Sequence, residues 1–333
     1  MRTTQARMSS PLNGMWRLGV WRMLRNNPAL FAVLAGAMIF SLIDPRFLTL
    51  RNLGNIGNQA SYLLILALAQ TTVLLGRGFD LSMGNTVSLI SVAIALVMTQ
   101  ATSADAGYPI VIQGVLVALL IGMGVGALIG LTAGLLGANS FIISLGAMHI
   151  CYGIAATLSD GRPVFNVPEP FIATFNSHTI LLVPVPIALS ACVCALLHVL
   201  LNHTVYGRLL YLTGSNPDAV RIAGHNPKRI TAVSFVIAGA LVALAALLLT
   251  ARTGTGEPNL GANLLLQSIA AAVIGGVSLS GGKGTALQAL LGALMITVLS
   301  NILNFMGMGG NLQAIVLGAV IILALWLERS HTG

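Results

Sequence analysis

The chain has 333 residues, of which 56% are hydrophobic and 7% charged, with 16 Lys/Arg against 8 Asp/Glu and a net charge of +8. A soluble protein of this size needs a charged shell, so the composition excludes a soluble globular fold and describes a chain solvated by lipid. The basic residues stand in gaps between apolar runs and not on one soluble face, which excludes nucleic acid as the partner.

Arg2, Arg7, Arg17, Arg22 and Arg25 precede the first apolar run, so residues 1–26 read as a basic cytoplasmic segment. Over residues 13–25, Trp16, Val20, Trp21 and Leu24 alternate with arginines; this fits a helix lying at the headgroups or a basic tail without structure. A signal peptide would be more compact and carry a small-residue cleavage site, whereas the first run ends at Asp44-Pro45-Arg46, as a retained helix would. A bilayer core of about 30 Å takes about 20 apolar helical residues per crossing. Ten runs answer that description: 27–44, 56–76, 81–100, 109–136, 140–158, 180–202, 229–251, 263–280, 285–306 and 311–327. The expected fold is an all-α polytopic membrane protein of about ten transmembrane helices over 27–327, with a cytoplasmic tail at 328–333. An even count puts both termini on one side. With the termini inside, twelve Lys/Arg are cytoplasmic and four (Arg46, Arg51, Arg162, Arg252) are outside, a clear positive-inside bias.

Gly122, Gly126, Gly130 and Gly134 recur every four residues in the fourth run, so they share one helix face. Without side chains there, a second helix can approach closely and gain dispersion contacts that lipid does not supply, which makes the row a packing ridge. Cys151, Cys192 and Cys194 lie in or beside apolar runs and read as small hydrophobes, not as a disulfide or metal set. The polar residues within the runs are Gln70, Asn85, His149, Gln267, Asn301, Asn304 and Gln313. Most such residues are interhelical glue, yet uncharged amides also suit a neutral polyol because they donate and accept without a counter-ion. Ion-coupled carriers keep ionisable groups at mid-depth, and their scarcity here argues for an external energy source.

No catalytic constellation or metal-ligand spacing occurs. Gly281-Gly282-Lys283-Gly284-Thr285 glances at a phosphate loop but fails it, because Val277 stands six before Lys283 and Gly284 replaces the Ser/Thr that holds magnesium. Any ATP energy must therefore come from a partner chain. The longest cytoplasmic gap, 203–228, contains a delimited two-turn helix. Asn216 is its N-cap, Pro217 its first residue, Asp218 complements the dipole, Gly224 stops it, and Asn226-Pro227 starts the next helix. This is either a lever for a motor or an ordinary capped connector. Asp80 and Glu257 sit in two glycine-rich breaks, after the second and seventh runs, on opposite sides in the assigned topology. That is the pattern of an inverted repeat of two five-helix halves, with a carboxylate and free amides to meet a passing hydroxyl. Helix capping is the plainer reading, since both acids precede apolar runs.

For the 216–224 helix, resemblance decides between lever and connector. Asp218-Ala219-Val220 with Gly224 resembles the E-A-A-x-x-x-G motif by which ABC importer permeases dock on the ATP-hydrolysing subunit. Residues 78–84 (GFDLSMG) resemble the GGIDLSVG segment of the monosaccharide permeases of ribose, xylose and arabinose type, with Arg77 where a second glycine is usual. Residues 139–146 (NSFIISLG) resemble their NPFIVTLG segment, and 251–259 and 275–284 match two further landmarks in the same order. The resemblance implies a permease subunit of a bacterial inner-membrane ABC importer for a monosaccharide or similar polyhydroxy solute. It implies two permease copies, a separate ATPase holding ATP and Mg, a solute-binding protein outside, and no catalytic residue or metal on this chain. The coupling residues would be Asn216, Asp218, Ala219, Val220 and Gly224, and the pathway candidates Asp80, Ser82, Asn85, Asn139, Glu257 and Asn259. The rivals are an ion-coupled sugar carrier, a branched-chain amino acid permease of the same architecture, and a membrane enzyme on lipid-linked sugars, for which clustered carboxylates are lacking.

Overall fold

A computed structural model describes residues 28–99, 107–180 and 183–331; the 13–25 segment and the last two residues lie outside them. Apart from one hairpin, β1 (Thr179–Ile180) against β2 (Val183–Pro184), the described elements are helical. In chain order they are α1 (Pro28–Ile43), α2 (Leu50–Leu75), α3 (Met83–Thr99), α4 (Tyr108–Gly130), α5 (Ser140–Leu158), the short α6 (Glu169–Ile172) and α7 (Val185–His203). Then follow α8 (Val205–Ser215), α9 (Pro217–Ile222), α10 (Pro227–Thr253), α11 (Leu264–Ile274), α12 (Ala286–Phe305) and α13 (Gly310–His331). Among the described residues six helices are long and apolar enough to cross a bilayer, and α3, α11 and Gly310–Val320 are shorter apolar helices. The protein is all-α and polytopic.

Each apolar run of the sequence contains one helix, but four boundaries move for identifiable reasons. α2 starts at Leu50 and not at 56, because the Thr49 side chain accepts from Asn52 N and opens the helix earlier. α7 starts at Val185 and not at 180, because 179–184 form the hairpin. α11 stops at Ile274 and not at 280, because Gly275 caps it and Gly276 turns to φ 106°. α13 continues to His331, so the tail expected at 328–333 begins as helix.

α2 and α10, the two longest helices at 26 and 27 residues, form the centre, 83% and 72% buried over their most apolar windows. α4, α5 and α7 are only 33%, 22% and 33% buried and present apolar side chains outward, as lipid-facing helices do. The glycine ridge of α4 lies on α10. A Cβ at Gly122, Gly126, Gly130 or Gly134 would fall inside contact distance of the carbonyl oxygens of Gly239, Phe235, Ala232 and Lys228 in turn. Backbone meets backbone along four turns, and the ridge ends in a π-helical turn at Leu131–Leu135. The three cysteines are free, with Cys151 and Cys194 buried and Cys192 exposed.

Candidate functional site

The first break follows α2. Arg77 takes φ 60°, a left-handed conformation that costs any residue but glycine, and the chain then runs to α3. Asp80 is 4% exposed, and its Oδ1 accepts from both the amide and the hydroxyl of Ser82 at 2.7 Å. The carboxylate thus folds the turn that opens α3, whose first bond is Thr86 N to Ser82 O at 2.8 Å. The peptide of Phe79 is clamped by α5: its N–H donates to Ser140 Oγ at 3.0 Å and its carbonyl accepts from Ser144 Oγ at 3.2 Å. Asn85 ties α3 to α5 through Met148 O at 3.0 Å. Asn139 is exposed and caps α5 by accepting from Phe141 N, so in this segment it is Ser140 and Ser144 that touch the break.

The second break follows α10, which ends on Gly254 at φ 66°. Residues 256–261 descend along α3. Gly256 bridges to Val164 and packs on Ser91 and Ala95, and Gly261 packs on the backbone of Gly84. Serines hold the descent: Ser91 Oγ accepts from Thr250 Oγ1 at 2.8 Å and from Glu257 N at 3.3 Å, and Ser88 Oγ accepts from Gly261 N at 3.0 Å. Glu257 does not cap α11, whose Ncap residue is Asn263 without a side-chain bond; its Oε1 accepts from Thr255 Oγ1 at 3.0 Å. Asn259 is exposed. With 11 residues α11 rises about 16 Å, roughly half a hydrocarbon core. The run at 263–280 is therefore a glycine-rich lead-in, a half-length helix and a turn.

The breaks meet at one contact. Gly84, two residues into α3, and Gly261, three before α11, lie backbone to backbone, with Leu265 against Gly84. Two discontinuous helices thus begin side by side, with the positive ends of their dipoles together. Asp80, Ser82 and Asn85 are gathered there, while Glu257 and Asn259 stand further along α3. The serines at 88, 91, 140 and 144 are contacts that the sequence reading passed over; their i,i+3 and i,i+4 spacings within apolar helices were the available signal.

The element between α7 and α10 is built as two helices, of which α8 was not expected. Asn216 caps α9 by accepting from Ala219 N at 3.1 Å, Gly224 takes φ 80°, and Asn226 caps α10. Val220 is buried, whereas Ile222 is 89% exposed. Asp218 pairs with Arg221 at 2.7 Å in solvent, which adds little stability. α8 anchors α9 to the rest: Gly214 abuts Leu75 O and Gly282, and the Tyr211 hydroxyl donates to Gly284 O at 2.6 Å. Burial pushes the Tyr211 phenol pKa up, so it remains a donor. Arg77 Nη2 donates to Ser215 O at 3.2 Å, bridging the first break to the residue before the Asn216 cap.

A polytopic helical bundle with two broken helices meeting inside it has the architecture of a membrane transport component. The chain belongs to the family described as the branched-chain amino acid transport system / permease component, whose sequence pattern matches residues 52–325. It is 32% identical over 309 residues to the ribose import permease protein of Escherichia coli (strain K12), covering 92% of this chain and 94% of that protein. It is 32% identical over 321 residues to the galactose/methyl galactoside import permease protein of Haemophilus influenzae (92% and 94% covered), and 32% over 292 residues to the D-allose transport system permease protein of E. coli K12 (87% of each). No solved structure gives a significant match.

Proposed function

We propose that the chain is the membrane-spanning subunit of an ABC importer that carries a monosaccharide or a similar polyhydroxy solute. The observation that carries this is end-to-end similarity to import permeases for ribose, galactose and allose. In this reading the ten apolar helices all cross, α3 and α11 as broken spans, with both termini cytoplasmic in the inner membrane. The halves form an inverted repeat: a long buried helix, a glycine break and a shortened helix occur at α2–α3 and again at α10–α11. The pathway runs past Asp80, Ser82, Asn85, Asn139, Glu257 and Asn259. A partner ATPase holding ATP and Mg docks on Asn216, Asp218, Ala219, Val220 and Gly224. A second permease copy and a solute-binding protein complete the assembly.

The test is uptake of radiolabelled ribose, galactose and allose into proteoliposomes holding this chain, its ATPase and its binding protein. Uptake should follow internal ATP and survive collapse of ion gradients; dependence on the gradient overturns the reading. The family description favours a second solute, a branched-chain amino acid, and inhibition of uptake by leucine but not by sugars would select it.

A further inference from the structure

Near its C-terminal end α2 holds three consecutive polar residues, and two are accounted for: Thr71 and Thr72 donate back to Ala67 O and Leu68 O. The third is not. Gln70 is 0% exposed, and neither its Oε1 nor its Nε2 has a hydrogen-bond partner in the protein. A buried carboxamide in that condition gives up its hydration for nothing, and a leucine would fill an apolar seam without that loss.

Two registers place Gln70 in depth. Leu74 of α2 packs with Ala272 of α11 and with Phe79 of the first break. One turn back along each helix stand Gln70 and Ser268, both fully buried. Along α10, antiparallel to α2, Tyr62 meets Arg252 and Gly76 meets Ser234, which sets Gln70 level with Val242. The Thr250–Ser91 bond carries that depth across to Gly84 on α3. Gln70 thus shares the level of the Gly84–Gly261 contact, and α11 packs on both α2 and α3. What fixes α11's lead-in to α3 is a glycine seam and the bonds that Ser88 and Ser91 accept from it, and among the described residues no ion pair joins the two.

We propose that Gln70 is a solute-binding residue, exposed when segment 254–263 and α11 move off α3, and that its carboxamide then pairs with neighbouring hydroxyls of a neutral polyol. A carboxamide is suited to that partner: it donates and accepts at once, spans adjacent hydroxyls, and carries no charge that would hold an ion. The inference rests on the proposed function for its solute and on the structure alone for the exposure.

Three variants of the full complex test it. Gln70→Leu should keep wild-type abundance and an equal or higher melting temperature while the KM for labelled ribose, galactose or allose rises roughly tenfold or more. Gln70→Asn, which keeps the amide, should recover part of that loss. Wild-type uptake by Gln70→Leu, or loss of its abundance, would overturn the proposal, the second because the amide would then serve the fold. Gln70→Cys, in a background with Cys151, Cys192 and Cys194 replaced, should react with a charged methanethiosulfonate during ATP turnover and not at rest. Absence of labelling in both states refutes the exposure. A wild-type complex that takes up none of the three sugars indicts the substrate assignment, and the labelling result still decides for or against Gln70.

Discussion

Two glycines of α4, six residues apart, should respond oppositely to the same substitution. Gly124 faces outward with nothing within 4 Å of where a Cβ would stand, whereas at Gly130 that atom would lie 2.5 Å from Ala232 O and 3.0 Å from the Phe235 Cβ. At Gly124, alanine restores helix propensity and should stabilise by up to about 1 kcal/mol. At Gly130 the same gain is opposed by backbone that cannot swing aside. Relief needs α4 to withdraw by at least about 0.5 Å, and a gap of 0.5–1 Å forfeits about a quarter to a half of each dispersion contact. Because Gly122, Gly126 and Gly134 lie on the same seam, the withdrawal is shared by all four contacts. Overpacking of this kind costs about 1–3 kcal/mol, and because the propensity gain is common to both sites, Gly130→Ala should fall by about that amount, 1–3 kcal/mol, below Gly124→Ala. Thermal unfolding of the purified protein in detergent, followed by intrinsic fluorescence, reads the order directly. Equal melting temperatures for the two variants would show that the α4–α10 seam is loose, and the close-approach argument would fail with it.

Other consequences are simpler to test. Arg77→Gly should keep abundance at wild type, because glycine adopts φ 60° freely, whereas Arg77→Val should lose it, and immunoblots of membranes distinguish the two. Asp80→Asn should transport better than Asp80→Ala, since Asn can still accept from Ser82, while removing the acceptor costs about 0.5–2 kcal/mol at the turn; equal, severe losses of uptake would instead assign the role to the charge. In a cysteine-free background, a membrane-impermeant maleimide applied to intact cells should label Ser177→Cys and spare Ser215→Cys, and the reverse would invert the topology. Gly224→Val places a β-branched residue at φ 80° with open space around it, so the cost is strain alone, about 1–2 kcal/mol. It should insert normally yet lose binding-protein-stimulated ATP hydrolysis and uptake together, and so should Asp218→Arg; wild-type rates in both would reduce α9 to a connector.

Much of this architecture was legible because lipid imposes long apolar runs and leaves them uninterrupted. The ridge on α4 was legible for the same kind of reason, since a four-residue glycine period has one geometric meaning on a helix. What hid was wherever glycine worked for close approach inside a helix and looked like punctuation. α8 carries Gly207 and Gly214, which abut the carbonyls of Leu201 and Leu75, so an 11-residue helix passed for part of a gap. In the eighth run the opposite error occurred, because hydropathy scores a glycine turn after Ile274 much as it scores helix. Capping signals were read correctly at Asn216 and Asn226 and misapplied at Glu257, where the acid lies six residues before Asn263 and bonds a loop threonine. Serine contacts such as Ser91 to Glu257 N could not be read at all, because they depend on which faces α3 and the second break present to each other.

The same glycine contacts give α9 a route to the interior. α9 is seated on α8, and α8 touches the end of α2 where Gly214 meets Leu75 O. That carbonyl also accepts from Gly282 N at 3.0 Å, in the turn that follows α11, and Arg77 reaches from the first break to Ser215 O. One node of a few residues therefore joins the foot of α9 to both discontinuous elements: to α3 through the first break, and to α11 through its trailing turn. A displacement of α9 has no need of a long relay through the apolar core, because α3 and α11 already meet at Gly84 and Gly261 and would move together. Rigid backbone contacts transmit such a push better than side chains do, since they have no rotamers to absorb it. This is a physical reason for so many glycines to stand at this node and at the crossing.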